Sequence, residues 1–316
     1  MGEMKGARVG MIVNPVAGRS RDPGHWNPVI EELRHRFPAA ELRTTQGPGD
    51  ERRAAAELLR LPVDRIVVAG GDGSIHQVVE ALLTLIATPG SRPPLGLVPL
   101  GSGNDFARGL GIPLAPQDAI HALENARELT IDVGKITFLG ETPARTAFWM
   151  NQSYVGFGAR VVRRVSRGTR PADRKAYVRA ALREVFHSPV HHYSLESDGR
   201  PTESSAAVNL LVTNGRFSGS GMLTSPRADP SDGAFDVVFV GPMGRIRLLR
   251  GLRRFQAGTH LSLPEVRTWR VKTLEVRGES PGEPVEADGD IVGQLPAKYE
   301  VLPGAIRVLV PETPKA

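Results

Sequence analysis

Short apolar runs alternate with stretches of helical spacing over about the first 130 residues, and this alternation constrains the fold more than any other feature. Runs such as 65–69 and 95–100 have the composition of strands that are buried on both faces. The segments between the runs carry apolar residues three and four positions apart, as amphipathic helices do. Strands joined by crossover helices form parallel sheets, so the sequence predicts an α/β domain with a parallel sheet covered on both faces.

Turn and helix signals place the elements. We predict strands over 8–13, 41–45, 65–69 and 95–100, and helices over 26–37, 50–60 (with Asp50 as its N-cap), 75–87, 106–110 and 117–126. After about Thr130 the sequence pattern changes to short strand-like runs separated by turns rich in Gly, Pro and Asp. The runs cover 131–138, 206–213, 235–240, 269–276 and 306–310, and they predict an antiparallel domain with helices between some of its strands.

Two glycine-rich acidic loops follow strands of the α/β domain, Gly70-Gly71-Asp72-Gly73-Ser74 and Gly101-Ser102-Gly103-Asn104-Asp105. Glycine lets backbone N–H groups approach a ligand closely, and a helix N-terminus adds partial positive charge, so such a loop suits phosphate oxygens. A carboxylate such as Asp72 would repel phosphate unless a divalent cation lies between them or the carboxylate serves as a base. The structural alternative for a single loop is a capped helix N-terminus in a tight turn. Two such loops at the carboxyl ends of parallel strands favour a nucleotide-phosphate site.

The amino-acid composition limits the classes of protein to which this chain can belong. The chain has 316 residues, of which 40% are hydrophobic, and this is enough for two domains with their own cores. It has no cysteine, which excludes disulfides, thiolate metal ligands and a cysteine nucleophile. No signal peptide and no membrane-spanning run is visible, so we expect a cytoplasmic protein. The eight histidines show no zinc-binding spacing, and there is no GxSxG motif for a serine hydrolase.

The net charge of +6 is concentrated in two segments. Segment 160–183 contains nine cations and one acid, and segment 245–254 interleaves five arginines with apolar residues as an amphipathic basic helix would. Solvated helix faces are the ordinary explanation of such segments. Two of them favour contact with an anionic membrane surface, whereas the scarcity of aromatic residues disfavours nucleic acid as a partner.

Several motifs, in this order, resemble one family: Asn14-Pro15 with Gly18, GGDGSI over 70–75, and PLGSGNDFA over 99–107. Two later stretches, DPSDGAFD over 229–236 and EADGD over 286–290, extend the match over nearly the whole chain. The chain is identified as a member of the diacylglycerol kinase catalytic-domain family, and it is most similar to the soluble bacterial (YegS-like) lipid kinases within it.

The resemblance implies an ATP-dependent lipid kinase that phosphorylates diacylglycerol or a similar lipid alcohol and associates peripherally with the membrane. It implies a doubly wound, Rossmann-like nucleotide-binding domain over 1–129, of the NAD kinase/diacylglycerol kinase type, and an antiparallel β-sandwich lipid-substrate domain over 130–302. The C-terminal segment, about 303–316, is expected to pack back onto the first domain. The implied nucleotide contacts are Asn14, Thr45, Gly70, Gly71, Asp72, Gly73, Ser74, Ile75, His76, Gly101, Ser102, Asn104 and Asp105. For Asp105, the structural alternative is capping of the helix over 106–110.

Asp288 matches the family's general base, and Asp290 stands where relatives commonly carry a glutamate that supports the base. Without the resemblance, Asp288-Gly289 would be interpreted as an ordinary hairpin turn. The resemblance also implies a structural Mg²⁺ site formed by the side chain of Asp232 and the backbone carbonyls of Asp229 and Ala234, and oxygen ligands suit this ion. The resemblance thus implies ATP and Mg²⁺ as cofactors.

Two other classes stay open at this point. A soluble-substrate kinase of the NAD-kinase or phosphofructokinase type would share the GGDG loop, although the second loop resembles the lipid branch. A non-catalytic membrane or nucleic-acid binding protein could retain the fold, although the intact Asp72 and Asp288 oppose this. The sequence identifies neither the lipid nor the oligomeric state, for which a homodimer is one expectation.

Overall fold

The computed structural model describes residues 7–18, 23–168, 174–187, 190–200 and 202–312. Residues 169–173 of basic segment 160–183 and residues 313–316 of the C-terminal segment lie outside the described residues. The described chain falls into two compact units. Unit 1 contains the residues up to Asp132, the tripeptide Gly219–Gly221 and the residues from Gly304 onward, and unit 2 contains Val133–Ser218 and Met222–Pro303.

The elements of the first half follow one another as alternating strands and helices. They are β1 (Val9–Val13), α1 (Pro23–Arg36), β2 (Glu41–Thr44), α2 (Asp50–Leu58), β3 (Arg65–Gly70), α3 (Asp72–Leu85), a 3₁₀ turn (Pro89–Ser91), β4 (Leu95–Pro99), α4 (Asp105–Gly109), α5 (Pro116–Leu123) and β5 (Ala126–Phe138).

Strands dominate the second half, with three helices among them in the described residues. The elements are β6 (Arg145–Trp149), β7 (Gln152–Gly156), α6 (Phe157–Ser166), α7 (Arg174–His187), β8 (His191–Ser197), β9 (Glu203–Ala207), β10 (Asn209–Thr213), β11 (Phe217–Ser218), β12 (Met222–Leu223), β13 (Phe235–Val240), α8 (Arg245–Ala257), a 3₁₀ turn (His260–Ser262), β14 (Val266–Val271), β15 (Thr273–Gly278), β16 (Pro284–Ala287), β17 (Asp290–Gln294) and β18 (Ala297–Pro311).

The sheet of unit 1 has the strand order β2-β1-β3-β4, and all of these strands are parallel. The part of β18 that belongs to unit 1 extends this sheet, since Val308 pairs in parallel with Leu95 of β4. The strands β1, β3 and β4 are buried along their whole length, as expected for a sheet covered on both faces. The predicted α/β domain with a parallel sheet is therefore confirmed.

Unit 2 is an antiparallel β-sandwich. One sheet has the order β14-β13-β10-β7-β16-β17, and the other contains β15, β8 and β9 with antiparallel pairing. The core between the sheets contains large buried side chains from both of them, among them Trp149, Tyr193, Phe235 and Tyr299. The rings of Trp149 and Phe235 lie 4.8 Å apart. Helices α6, α7 and α8 share a separate apolar cluster that includes Val161, Val185 and Leu248.

Two predicted strands are each divided in the structure. The run 206–213 breaks at Val208, with β9 in one sheet of the sandwich and β10 in the other. The run 269–276 breaks at Lys272 between β14 and β15, which also lie in different sheets. The carboxylate of Asp198 marks the second break, because it accepts hydrogen bonds from the N–H groups of Lys272 and Thr273 at 2.9 and 2.8 Å. Apolar residues lie on both sides of each break, which favours a single strand, although Asn209 and the pair Lys272-Thr273 interrupt the apolar pattern.

The prediction that Asp50 caps its helix is wrong. The N-cap of α2 is Gly49, which has a left-handed φ of 86°, and Asp50 is the first helical residue. Its carboxylate accepts the N–H of Gln46 at 2.8 Å, and the Arg53 guanidinium that donates to it lowers the pKa of Asp50 to about 2.

No helix in the described part of the chain has the length and apolarity needed to cross a membrane.

Candidate active site

The first glycine loop connects β3 to α3 in unit 1. Gly70 is the last residue of β3, Gly71 is the N-cap of α3, and Asp72 is the first residue of that 14-residue helix. The N–H groups of a helix's first turn have no partner inside the helix, and they point out of its N-terminus. Gly73 lies in this turn, and a Cβ added to it would meet nothing within 4 Å. The sequence therefore produces an open, electropositive helix N-terminus at the carboxyl end of a buried strand.

The backbones of the two glycine loops touch. A Cβ added to Gly71 would lie 2.9 Å from the Cα of Gly101, and a Cβ on Gly101 would lie 2.6 Å from the Cα of Gly71. Gly18, at the end of the loop after β1, has a φ of +80°, and a Cβ there would lie 2.5 Å from the carbonyl oxygen of Leu100. Three loops that follow parallel strands thus meet at one edge of the sheet, and they do so because none of these three residues carries a side chain.

Asp72 binds the second loop rather than pointing away from the protein. Its Oδ2 accepts the N–H of Asp105 and its Oδ1 accepts the N–H of Phe106, each at 3.2 Å. These two groups belong to the first turn of α4, which otherwise lacks acceptors for its N–H groups. The acid that appeared anomalous in a phosphate loop therefore joins the two loops.

Asp105 continues this connection. Its carboxylate accepts the N–H groups of Ser220 and Gly221 at 2.8 and 2.6 Å, in the tripeptide that belongs to unit 1. Burial raises the pKa of Asp105, while the two N–H donors and the nearby Arg108 act in the opposite direction. The N-cap of α4 is Asn104, and the first-turn N–H groups of Asp105 and Phe106 donate to Asp72, so the structure does not bear out the capping role considered for Asp105.

Asn104 shapes the second loop from inside. It adopts a left-handed φ of 53°, which asparagine tolerates better than most residues. Its Oδ1 accepts the N–H of Gly101 at 2.8 Å, and its Nδ2 donates to the carbonyl of Gly101 at 2.9 Å. Asn104 is therefore a loop-forming residue, whereas the neighbouring Ser102 is exposed and free to present its hydroxyl.

A buried polar cluster supports the first loop. Glu51, which is only 2% exposed, accepts hydrogen bonds from Asn14 at 2.8 Å and from the hydroxyl of Ser74 at 2.7 Å. Asn14 also donates to the Ser74 hydroxyl at 3.0 Å. The side chains of Asn14 and Ser74 are thus turned toward Glu51, a residue that the motif analysis did not single out. A glutamate in the first turn of an otherwise apolar helix face was the available signal.

The remaining predicted nucleotide contacts of unit 1 differ in what their side chains do. Thr45 is buried and follows β2, where its N–H donates to Val13 at 2.9 Å. The side chain of Ile75 lies in the core, 1% exposed, so only its backbone is available to a ligand. His76 lies beside Glu80, with Nε2 3.8 Å from a carboxylate oxygen.

In unit 2, Asp288 occupies the turn between β16 and β17, with a left-handed φ of 47°. Its Oδ2 accepts the N–H of Met150 at 2.7 Å, and its Oδ1 accepts those of Asn151 and Gln152 at 2.9 and 3.1 Å. These three donors lie at the start of β7, so the carboxylate is fixed in one orientation. Asp290 is exposed at the beginning of β17.

A second carboxylic acid, absent from the predicted site, lies two residues before Asp288. Glu286 is 2% exposed, and its oxygens accept the N–H of Gly289 at 2.5 Å and the N–H of Tyr154 at 3.1 Å. Burial raises the pKa of Glu286 well above its usual value, and the negative charges of Asp288 and Asp290 act in the same direction. Glu286 is therefore a buried acid whose two oxygens hold backbone N–H groups on either side of the turn.

Tyr177 of α7 lies within electrostatic range of this turn. Burial raises the pKa of its hydroxyl, and so do the negative charges of Glu286 and Asp290. Helix α6 contacts β16 and β17, and α7 packs against α6, which places the Tyr177 hydroxyl within range of these charges.

The residues predicted to hold a structural metal form an exposed turn before β13. Asp232 accepts the N–H of Ala234 at 3.2 Å and forms an ion pair with Arg270. Asp229 instead accepts the N–H and hydroxyl of Ser231 at 3.0 and 2.7 Å. Among the described residues, no group of three or more metal-ligating side chains comes together. A site with one carboxylate and two backbone carbonyls falls below that number, and its oxygen donors are of the type that Mg²⁺ takes.

This architecture defines a class of protein. A parallel α/β unit whose glycine loops meet at a helix N-terminus, encoded together with an antiparallel β-sandwich that carries an anchored acidic turn, is a phosphoryl-transfer fold of the NAD kinase/diacylglycerol kinase class. The comparisons with known proteins agree. The diacylglycerol kinase catalytic domain profile matches residues 8–136, and that of the YegS C-terminal NAD kinase beta sandwich-like domain matches residues 151–310.

Relatives give the particular family. A diacylglycerol kinase from Mycobacterium tuberculosis is 32% identical over 307 residues, which cover 96% of this chain and 95% of the relative. A probable lipid kinase YegS-like protein from Stenotrophomonas maltophilia is 30% identical and covers 91% of this chain and 90% of its own. The chain therefore belongs to the diacylglycerol kinase family and is a lipid kinase.

Solved structures share the fold at lower identity. A diacylglycerol kinase from Bacillus anthracis superposes with a TM-score of 0.72 at 21% identity and covers 98% of both chains. An NAD kinase from Archaeoglobus fulgidus in complex with ATP superposes with a TM-score of 0.52 at 14% identity and covers 96% of this chain and 94% of its own. The NAD kinase likeness concerns the fold alone, and the relatives by sequence place this chain on the lipid branch.

Proposed function

We propose that this protein transfers the γ-phosphoryl group of ATP to the hydroxyl of diacylglycerol or a similar neutral lipid alcohol, in a Mg²⁺-dependent reaction at an anionic membrane surface. The observation that carries the donor side is the contact between Gly71 and Gly101, which brings two phosphate-binding loops together. The acceptor rests on the 32% identity to a protein named as a diacylglycerol kinase.

Unit 1 would bind the phosphates. The N–H groups at the start of α3 and along loop 101–103 would donate to phosphate oxygens, and the α3 dipole would favour their charge. The exposed hydroxyl of Ser102 would add a side-chain donor. Thr45, Gly70 and His76 are proposed contacts at the same edge of the sheet.

Mg²⁺ would neutralise the charge that develops on the transferred phosphoryl group. A structural ion would be held by the side chain of Asp232 and the carbonyls of Asp229 and Ala234, whose oxygen donors fit it. The ion pair between Asp232 and Arg270 gives that turn a cationic partner already, so the two cations would compete for one carboxylate.

Asp288 is proposed as the general base. As the lipid oxygen attacks the γ-phosphorus, its proton passes to the Asp288 carboxylate, the bond to the bridging oxygen breaks, and ADP leaves. A base in this reaction needs position above all, and the three backbone donors from residues 150–152 provide it. Asp290 would support the base as the shorter counterpart of a glutamate.

The membrane would be contacted through the basic segments 160–183 and 245–254. Their exposed cations would interact with anionic headgroups, with each contributing about 1 kcal/mol near the surface. Arg160 is excluded from this role, because it is buried and forms an ion pair with Glu283 at 2.7 Å.

The test is phosphorylation of a lipid panel with γ-labelled ATP. The panel contains diacylglycerol, monoacylglycerol, ceramide, sphingosine and phosphatidylglycerol, with each dispersed in mixed micelles. We expect label in the organic extract for diacylglycerol and loss of labelling when Mg²⁺ is chelated. Label confined to water-soluble products would overturn the proposed acceptor and favour a soluble substrate.

The base is tested with Asp288→Asn, because asparagine tolerates the left-handed φ of 47° and retains an acceptor for the backbone donors. Asp288→Ala would remove three hydrogen bonds as well as the base, so its effect could not be assigned to chemistry. We expect Asp288→Asn to fold normally and to lower kcat by a factor of about 10² or more. Wild-type kcat in this variant would exclude Asp288 as the base.

A further inference from the structure

Helix α7 carries an exposed apolar stripe. The side chains of Val178, Leu182 and Phe186 are 52%, 44% and 56% exposed. They are spaced four residues apart, so they lie along one face of the helix. Ala180 and Val185, which are 4% and 1% exposed, belong to the packed side of α7, and Val185 borders the stripe because it follows Val178 by seven residues. The three exposed side chains lie outside this packed side. The core of unit 2 therefore does not account for the stripe.

A row of cations runs beside the stripe. Lys175, Arg179 and Arg183 are also spaced by four residues, and all three are exposed. Their side chains form no hydrogen bond or ion pair within the part of the chain that the structure describes. Like charges four residues apart destabilise a helix. The stability of the isolated chain therefore explains neither the stripe nor the row.

The adjacent helix has the same character. Helix α8 packs against α7, and its Ile246 is 69% exposed, the largest value among the exposed large apolar side chains of the described residues. Two of its arginines are engaged, Arg247 with Glu265 at 3.0 Å and Arg254 with Ser262 at 3.3 Å. Arg250 and Arg253 lie on the same helical face as Ile246 and are exposed. The described surface thus has a second apolar residue surrounded by cations.

We propose that α7 is the membrane-inserting element of this protein, with Val178, Leu182 and Phe186 entering the boundary between headgroups and acyl chains of an anionic bilayer. Lys175, Arg179 and Arg183 contact lipid phosphates beside it, and Ile246 of α8 provides a second point of insertion. This inference rests on the proposed function, in which the acceptor lies in a membrane. It differs from binding by charge alone, because the apolar stripe supplies affinity that salt does not screen.

Charge identifies the occupant as a lipid surface. In a two-fold contact with a second copy, the stripe and its flanking row would meet the same stripe and row, which places six cations in one interface. Like charges across an interface oppose association. An anionic membrane instead satisfies the cations and the apolar side chains together.

The place of the stripe is also informative. Val178 follows Tyr177, and the negative charges of Glu286 and Asp290 raise the pKa of the Tyr177 hydroxyl. Glu286 and Asp290 lie two residues before and two residues after Asp288. A docked α7 therefore places the lipid boundary within electrostatic range of the turn that carries the proposed base. A lipid hydroxyl could then reach that turn while its acyl chains stay in the bilayer.

The test compares the triple variant V178S/L182S/F186S with the control L85S/L139S, which removes two exposed apolar side chains from elsewhere in the chain. Binding is measured by co-sedimentation with vesicles of equimolar phosphatidylglycerol and phosphatidylcholine. We expect the wild type and the control to bind, and the triple variant to partition roughly tenfold to a hundredfold more weakly, since three apolar side chains lose their burial. Circular dichroism confirms that each variant is folded.

Insertion is measured directly with Phe186→Trp. We expect its added fluorescence to shift to shorter wavelength on these vesicles and to be quenched by brominated lipids. Unshifted fluorescence, or undiminished binding of the triple variant, would overturn the proposal. A wild-type dimer in sedimentation velocity that the triple variant dissociates would also overturn it, because the stripe would then be an interface between copies.

Kinase assays separate this inference from the proposed function. We expect the triple variant to phosphorylate dispersed short-chain diacylglycerol at the wild-type rate and to lose activity only on vesicles. If the wild type phosphorylates no lipid but binds vesicles through the stripe, the docking surface stands and the proposed acceptor falls. Equal loss of activity on dispersed and vesicular substrate would count against docking as the role of the stripe.

Discussion

The carboxylate of Asp72 holds the backbone N–H of Asp105 at 3.2 Å, and it thereby ties the first glycine loop to the second. Asp105 in turn holds Ser220 and Gly221. The two acids therefore connect three backbone segments by hydrogen bonds (here called the relay): the start of α3, the start of α4 and the tripeptide 219–221. The geometry of the glycine loops thus depends on two carboxylates.

We expect Asp72→Ala to lose this connection. The N–H groups of Asp105 and Phe106 lose their acceptors, which costs about 1–3 kcal/mol of unfolding free energy. Misplaced loops lower kcat/KM by a factor of about 10². Asp72→Asn, which keeps one oxygen acceptor, should fall between the alanine variant and the wild type. Urea unfolding and lipid kinase assays measure both effects. The control is Asp118→Asn at an exposed position of α5, and wild-type behaviour of Asp72→Ala would refute the relay.

Gly101→Ala should abolish nucleotide binding. The added Cβ would lie 2.6 Å from the Cα of Gly71, a backbone atom that cannot move without displacing the first loop. The measurement is the rise in melting temperature caused by ATP, which we expect to disappear in this variant. Gly109→Ala is the matched control, since its Cβ meets nothing within 4 Å and alanine favours a helix by about 1 kcal/mol. An unchanged ATP effect in Gly101→Ala would show that the loops separate freely.

Glu286 should make the protein less stable as pH rises. Its folded pKa lies above the usual value, so the folded state retains a proton that the unfolded state releases. The unfolding free energy therefore falls as pH rises above about 4.5, until the folded pKa is reached. Glu286→Gln stays neutral, and we expect its stability to decline less over this range. Urea unfolding at several pH values tests this, with the exposed Glu279→Gln as control. If the stabilities of Glu286→Gln and the wild type changed with pH in parallel, Glu286 would not be the source of the pH dependence.

His260 should act in the opposite direction. Burial lowers the pKa of its imidazole, which stacks on Phe255 at 3.8 Å and donates from Nε2 to the Thr224 carbonyl at 3.0 Å. The stability that it contributes is present above about pH 6.5 and is lost as pH falls below this value, because the unfolded state then binds more protons. We expect His260→Phe to keep the stack, to lose about 1 kcal/mol at pH 8, and to depend less on pH in the acid range. Exposed His35→Gln should retain the wild-type profile.

Much of unit 1 was predictable because its signals are local. The strands 65–69 and 95–100 and their glycine loops were located to within one residue of β3 and β4. The parallel sheet followed from alternation. The breaks at Val208 and Lys272 escaped prediction because apolar residues lie on both sides of each. The change of sheet depends on pairing with distant strands, that of β10 with β13 and that of β15 with β18.

In the candidate site, too, local features were predictable from the sequence and long-range contacts were not. Motifs indicated Asp72, Asp105 and Asp288, but their partners are backbone N–H groups, which have no sequence signal. Glu51 and Glu286 escaped attention because burial makes them significant, and burial arises only when distant elements pack around them. The stripe on α7 escaped for the complementary reason, since exposed and buried apolar residues look alike in a sequence.

The sequence by itself determined the class of the protein. Glycine spacing, strand and helix periodicity, and the ordered motifs are properties of neighbouring residues, and they suffice for a parallel α/β domain, an antiparallel domain and a lipid kinase family. Tertiary structure decided what each polar side chain does. Asp72 and Asp105 proved to be connectors and Glu286 a buried acid, because hydrogen-bond partners and desolvation are set by residues that are far apart in the chain and close together in space.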